Sequence, residues 1–435
     1  METTSASAHA PAASPDREAR LARVQRRTMI VLVISQIVGT VGVGVAPSIG
    51  VLLAGEVTQN EAWAGLARTA STLGAALLGM PLGNLAARRG RRFALTTGWL
   101  VAAVGAAILI PAAQWDLVVP LFIGLLLIGS GSAVSLQSRF AATDLAEPRH
   151  KARSLALIVW VGTIGSVLGP NLGAPGDLIG SVTGLTVYAG AFLIAAVCLA
   201  LAGLVVFLVL RPDPLLLLNE TSGAARAAKP TRKGGRFAPI FAEIRTNRPA
   251  RIAVVAILTA QIVMVSIMTM TPVHMVHQGG TVNLVGITIS LHVLGMYVLA
   301  PVVGWFTDRY GHRFSIWTGI VVFLASLVFG AVWPDRTGWI IASLILLGVG
   351  WSFVNVAGSA LFASTVDADV RASSQGGVDA LANLCGAIAA FLAGPLLAVS
   401  SFATLSILAM IVLIPLVLFV IRRLPAHQEE KAGSL

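Results

Sequence analysis

The chain carries twelve blocks of apolar residues, each long enough to cross the roughly 30 Å hydrocarbon core of a bilayer as a helix. They run over about 29–54, 63–86, 93–113, 117–141, 154–173, 183–210, 252–275, 284–306, 314–333, 337–363, 374–398 and 402–421. In hydrocarbon the backbone must satisfy its own hydrogen bonds, which leaves helices or closed barrels. Blocks of this length are helices, so the predicted fold is an all-α membrane protein. Charge agrees: 11% of the 435 residues are charged, against about a quarter in a soluble domain.

The net charge of +11 fits a nucleic-acid binder in total but not in distribution. Basic residues concentrate in alternate connections. Arg17, Arg20, Arg23, Arg26 and Arg27 precede the first block; Arg88, Arg89, Arg91 and Arg92 follow the second; Arg149, Lys151 and Arg153 follow the fourth. The opposite connections hold Glu56, Glu61, Asp116 and Asp177, with Arg336 as the basic exception. Lys and Arg favour the cytoplasmic side, so the pattern predicts cytoplasmic termini and a plasma (inner) membrane location. The expected partners are the lipid bilayer and a small solute or metal ion, with no nucleic acid, and the expected working unit is a monomer. Cys198 and Cys385 both fall inside blocks, and neither a disulfide nor a thiol metal motif is expected.

Residues 211–250 are the only long polar interior stretch, with six blocks on either side. The predicted organisation is therefore a cytoplasmic N-terminal tail (1–28), a six-helix bundle (29–210), a basic cytoplasmic linker (211–250), a second six-helix bundle (251–421) and a cytoplasmic tail (422–435). An internal repeat supports two related halves. The chain reads Gly83-Asn-Leu-Ala-Ala-Arg88-Arg-Gly90-Arg91-Arg92 after the second block and Gly304-Trp-Phe-Thr-Asp308-Arg309-Tyr-Gly311-His-Arg313 after the eighth. Glycine permits a tight turn there, and the arginines can cap helix C-termini and hold the turn at the headgroups.

These two stretches resemble the signature loop of the major facilitator superfamily, G-x-x-x-D-R-x-G-R-R. The resemblance extends over the twelve-helix plan and implies two pseudo-repeat bundles around a central cavity, alternating access, and secondary transport. Ala87 stands where the family has Asp, whereas Asp308 is present, so a conformational latch is expected mainly in the second half, with Asp308, Arg309, Arg88 and Arg92 as gating candidates. Both loops are alternatively simple basic anchors. In the fifth block, Gly165-x-x-x-Gly169-Pro170-x-x-Gly173 is similar to the helix-5 motif of antiporters in the same superfamily; small residues at this spacing also simply allow close helix packing.

The clue to the cargo is a soft-ligand cluster. Met264 and Met268 are four apart on the seventh block, as are His292 and Met296 on the eighth, and residues four apart share a helix face. From Arg251 at about 1.5 Å per residue, Met264 lies about 20 Å deep and Met268 about 26 Å. From Asp308, Met296 lies about 18 Å deep and His292 about 24 Å. Thioether and imidazole suit Cu(I). His274, Met275 and His277 follow toward the outside as entry ligands, and no acid interrupts 264–296. Methionine is equally a filler of helix packing. A histidine inside a span is costly and usually functional, as a ligand or a proton relay. The paired motifs are similar to those of CcoA-like copper importers, which implies copper bound by Met264, Met268, His292 and Met296, as substrate with no prosthetic group.

Asp379 is the most enclosed acid and a candidate for proton coupling. Gln36, Arg68, Gln137 and Asn383 are candidate cavity-lining residues, Arg68 being also shallow enough to snorkel outward; Arg139 is expected at the cytoplasmic rim. A wide apolar cavity is expected from Trp160, Trp305 and Trp351. No phosphate-binding Gly-x-x-x-x-Gly-Lys loop and no nucleophile–base arrangement is visible, so no enzymatic activity is expected. Two readings stay open: copper uptake through the Met/His site, and proton-coupled export of drugs or apolar metabolites with His292 and Asp379 titrating.

Overall fold

The structure is a computed structural model and describes residues 15–60, 62–147, 150–221, 247–366 and 368–421. Glu61, most of the predicted linker and both outermost tails lie outside the described residues. Among the described residues, every regular element is helical. Fifteen α-helices are needed to follow the chain: α1 (Pro15–Gly44), α2 (Val51–Thr58), α3 (Ala62–Gln114), α4 (Val118–Thr143), α5 (Lys151–Leu168), α6 (Gly173–Thr183), α7 (Val187–Val209), α8 (Pro214–Thr221), α9 (Arg248–His277), α10 (Val282–Tyr297), α11 (Ala300–Tyr310), α12 (His312–Val332), α13 (Thr337–Thr365), α14 (Ala368–Val399) and α15 (Phe402–Ile421).

Among the described residues, eleven helical stretches are long and apolar enough to cross a membrane. One of them, α3, has 53 residues and would be about 80 Å long if straight. It is not straight: Gly90 has φ 88° and ψ 172°, a conformation essentially confined to glycine, and the chain reverses there. Thus α3 holds two spans, and twelve crossings result. With an even number of crossings, the ends of α1 and α15 share one face, here called the terminal face. Two boundaries differ from the sequence expectation. Helix α1 begins at Pro15, because the polar residues before the span are good helix formers. The eighth crossing is broken between α10 and α11, where Pro301 lacks a backbone N–H.

Two hydrophobic cores form. One is centred on Trp99 with Leu32, Leu95, Leu125 and Phe192; the other on Phe323 with Ile257, Leu347, Phe362 and Phe402. Within the first half, the glycine motif of the fifth block works as a packing face. A Cβ on Gly165 would meet the Ile37 carbonyl at 2.6 Å, and one on Gly169 would meet the Gly44 Cα at 2.6 Å. These positions must be small because α5 lies backbone-to-backbone on α1.

The internal repeat has a structural counterpart. Gly90 and Gly311, 221 residues apart, both have positive φ (88° and 84°). The loops are held differently, and the first half is not left without an acid. Asp213, just after α7, accepts hydrogen bonds from the Arg92 amide (2.7 Å) and from the Leu215 and Leu216 amides (3.0 and 3.2 Å). Arg91 makes a two-pronged ion pair with Asp144 at 2.8 and 3.2 Å. A pair with both partners this enclosed is better ordered than a surface bridge. Asp308 and Arg309 are exposed, and neither forms an ion pair among the described residues.

Substituting Gly90→Ala puts a Cβ 2.4 Å from the Asp213 carboxylate and imposes a disfavoured backbone. It is expected to cost about 2 kcal/mol, seen as a lower thermal midpoint of the detergent-purified protein, with a smaller loss for Asp213→Ala.

Candidate functional site

The two halves touch at the face opposite the termini. Thr69 on α3 donates to the Ala387 carbonyl of α14 at 2.9 Å. Gly65, one turn away, packs so closely that a Cβ would stand 2.2 Å from the Ala390 carbonyl. On the other side, Asn171 donates to the Ser290 hydroxyl, which donates to the Val167 carbonyl at 2.6 Å. These contacts lie toward the face opposite the termini.

Several polar groups lie within the membrane-spanning helices. Arg68 on α3 is half-buried, and the next residue, Thr69, bonds across to α14. Arg139, four residues from the end of α4, is half-buried. Asp379 is exposed and receives a long hydrogen bond from Gln375 (3.5 Å); Asn383 donates back to the Asp379 carbonyl at 2.8 Å. Neither arginine forms a hydrogen bond or ion pair with a carboxylate among the described residues. The second half contains an aromatic corner. The Tyr297 and Trp351 rings meet edge to face with centroids 5.8 Å apart, and the Trp351 indole N–H donates to Gln261 Oε1 at 3.2 Å.

The other predicted site residues are placed as follows. Gln36 is buried and donates to the Ser135 hydroxyl, tying α1 to α4. Gln137 accepts from Arg91 at 3.1 Å. Arg88 is exposed, while the Arg92 guanidinium lies 4.9 Å from the Phe93 and Phe207 ring centres. Met264, Met268, His292 and Met296 are all buried in the second-half core. Helices α9 and α10 both pack mainly on α13 and only sparingly on each other. His292 Nδ1 faces the Leu344 carbonyl at 2.8 Å, so Nδ1 carries the proton there; its Nε2 is buried without a partner among the described residues. His274 Nε2 donates to the Pro334 carbonyl at 2.7 Å, and its ring stacks on Phe402 at 4.5 Å. Met275 is buried and His277 exposed. Among the described residues, no three His, Cys, Asp or Glu side chains converge where they could hold a metal ion. Sequence reasoning passed over Tyr297 and Gln261; only their position on faces turned to the central space marks them.

The sequence and the fold match known proteins. The Major Facilitator Superfamily model matches residues 28–282 and 275–434. The chain is 37% identical over 426 residues to the uncharacterized MFS-type transporter YdeG of Bacillus subtilis (strain 168), covering 96% of this chain and 97% of that one. It is 27% identical over 402 residues to the riboflavin transporter RfnT of Brucella anthropi, covering 91% and 96%. The crystal structure of the nucleoside transporter NupG shares the fold at TM-score 0.66 and 16% identity, covering 92% of this chain and 98% of that one. The chain belongs to the major facilitator superfamily. It is a membrane-spanning transporter of small solutes, not an enzyme.

Closure at the face opposite the termini depends on small side chains. Gly65→Leu is expected to hold that face apart and stop transport while the protein still inserts. Hydrogen–deuterium exchange would then rise over 62–72 and 385–396; unchanged exchange in a folded variant would remove this contact as the gate.

Proposed function

We propose that the protein moves a small organic anion by alternating access, with the substrate held between the halves by Arg68 and Arg139. The observation that supports this most directly is that two half-buried arginines lie within membrane-spanning helices and neither makes an ion pair with a carboxylate among the described residues. An arginine at depth costs about 3 kcal/mol on insertion scales, while a single neutral hydrogen bond returns about 1 kcal/mol. A cation kept at that cost fits a role in binding. An incoming carboxylate or phosphate supplies the missing counter-charge, and a guanidinium fork holds it in two-pronged geometry. The relationship to a riboflavin transporter supports an organic cargo over a metal. Asp379, within electrostatic range of Arg139, competes with a substrate anion for that arginine and so fits a coupling role.

The remaining assignments follow from the charge pattern. The terminal face is cytoplasmic, the membrane is the plasma membrane, and the central space opens inward. The 29–210 and 251–421 bundles rock as the two moving halves of a functional monomer, with no prosthetic group. Asp308, Arg309, Arg88 and Arg92 adjust the cytoplasmic side of that motion. Export by proton exchange would use the same Arg139–Asp379 contact in the reverse direction.

One observation favours a second reading, uptake of a soft cation such as Cu(I): the Nε2 lone pair of His292 is buried, unpartnered among the described residues and set in a core with Met264, Met268 and Met296. Radiolabelled copper uptake into cells decides this reading. Equal copper with wild type, with a Met264→Ala/His292→Ala variant and with empty vector removes it.

For the organic anion, thermal stabilisation of purified protein by a panel of small carboxylates and phosphates is the direct measurement. Stabilisation is expected in wild type and lost at least tenfold in apparent affinity in Arg68→Gln and Arg139→Gln. Equal stabilisation of wild type and both variants would refute the role given to the arginines.

A further inference from the structure

The first half carries a groove between the second span of α3 and α7. Its volume is about 180 Å³, and Thr96, Leu100, Gly203, Leu204 and Phe207 line it. Gly203 supplies the floor: a Cβ there would meet the Leu100 Cγ at 3.2 Å and the Trp99 Cβ at 3.3 Å. The Thr96 hydroxyl is turned to the Gly203 carbonyl at 3.5 Å, so the lining offers a guest apolar contact and little else. Helix α7 packs on α1, α3 and α6, all of the first half. Leu100 and Leu204 stay 44% and 48% exposed on helices that cross the membrane. The groove therefore lies on the outer flank, where exposed apolar side chains meet lipid.

Two rows of residues lead out of it. Arg92, Thr96 and Leu100 stand four apart on α3, and Gly203, Phe207 and Arg211 stand four apart along α7 and just past its end. Residues four apart share a helix face. The two helices run in opposite directions, so each row passes from the groove to an arginine at the terminal face. Phe207, a wall of the groove, joins the two arginines: the Arg92 guanidinium lies 4.9 Å from its ring centre and that of Arg211 5.8 Å. On its other side Arg92 lies 4.9 Å from the Phe93 ring centre. Aromatic rings attract a cation but leave its N–H donors without a strong acceptor. Arg92 Nε is buried and has no hydrogen-bond partner among the described residues, and neither arginine forms an ion pair there. Asp213 is beside this turn, but its carboxylate accepts from the Arg92, Leu215 and Leu216 amides rather than from the guanidinium.

We infer that Arg92, Arg211 and this groove form a binding site for one anionic phospholipid of the terminal-face leaflet, the guanidiniums holding the headgroup phosphate and the groove holding an acyl chain. The dimensions agree. Leu100 lies about 12 Å along the helix from Arg92, within the roughly 15 Å of hydrocarbon in one leaflet. A phosphate supplies the acceptors that the rings cannot, and a guanidinium takes it in two-pronged geometry. The site fastens α3 to α7 beside the Gly90 turn, within the first half, and holds whichever cargo the transporter carries.

The test is native mass spectrometry of the purified full chain titrated with phosphatidylglycerol or with phosphatidylcholine of the same acyl chains. Wild type is expected to bind one phosphatidylglycerol about tenfold more tightly than phosphatidylcholine, and Arg92→Gln and Arg211→Gln each to lose about fivefold of that, the scale of one arginine against an anionic lipid. Arg89→Gln, an exposed neighbour outside both rows, is expected to change the preference by less than about twofold. Leu204→Trp, which fills the groove and keeps every charge, is expected to weaken binding of both lipids. Equal binding of the two lipids by folded wild type overturns the site. So does a preference that survives both arginine variants, or one that Arg89→Gln lowers as much as they do, since either reduces the effect to general attraction by a basic surface. Unchanged lipid binding in folded Leu204→Trp overturns the part given to the groove.

Discussion

Hydrocarbon gives the backbone no hydrogen-bonding partner outside the chain, and that constraint organises this molecule. It makes every crossing a helix and pushes the turns to the membrane surfaces, where glycine and charged residues are tolerated. It also makes any ionisable group between the surfaces conspicuous. The first-half core is lined by alanine, leucine, glycine and aromatic residues, with the helices close enough for backbone contact. Against that background Arg68, Arg139 and Asp379 are exceptions.

Much of the fold was legible because hydropathy and glycine placement act locally. The twelve crossings follow from block length, and the reversal at Gly90 follows from a residue type that alone adopts its backbone conformation. The repeat at a spacing of 221 residues is visible in sequence because both copies need the same turn. The partner that fixes the first turn was not legible. Asp213 bonds the Arg92 amide across 121 residues, and no local pattern marks a carboxylate for that task.

The centre was only partly legible, for the same reason. Arg68 is conspicuous in an apolar block, but whether it snorkels or turns inward depends on helix rotation. The histidines illustrate the converse. His274 reads as a free ligand in sequence, while its ring nitrogen is committed to Pro334, 60 residues away, and its face to Phe402. His292 has one nitrogen committed to Leu344 and one unpartnered among the described residues, which leaves half of the predicted chemistry available to it. Helix periodicity places such residues at a depth; it does not say which neighbour they meet.

The contact that closes one face of the molecule joins Thr69, Gly65, Ala387 and Ala390 on one side and Asn171, Ser290 and Pro170 on the other. No side chain in it carries charge. Mobile ions screen charge–charge attraction but leave neutral hydrogen bonds and close packing largely unaffected. The strength of that seal is therefore indifferent to ionic strength. Any salt sensitivity in the transport cycle has its origin where the charges are, in the middle of the molecule or at the terminal-face loops, and reaches the seal only through the rigid helices between them.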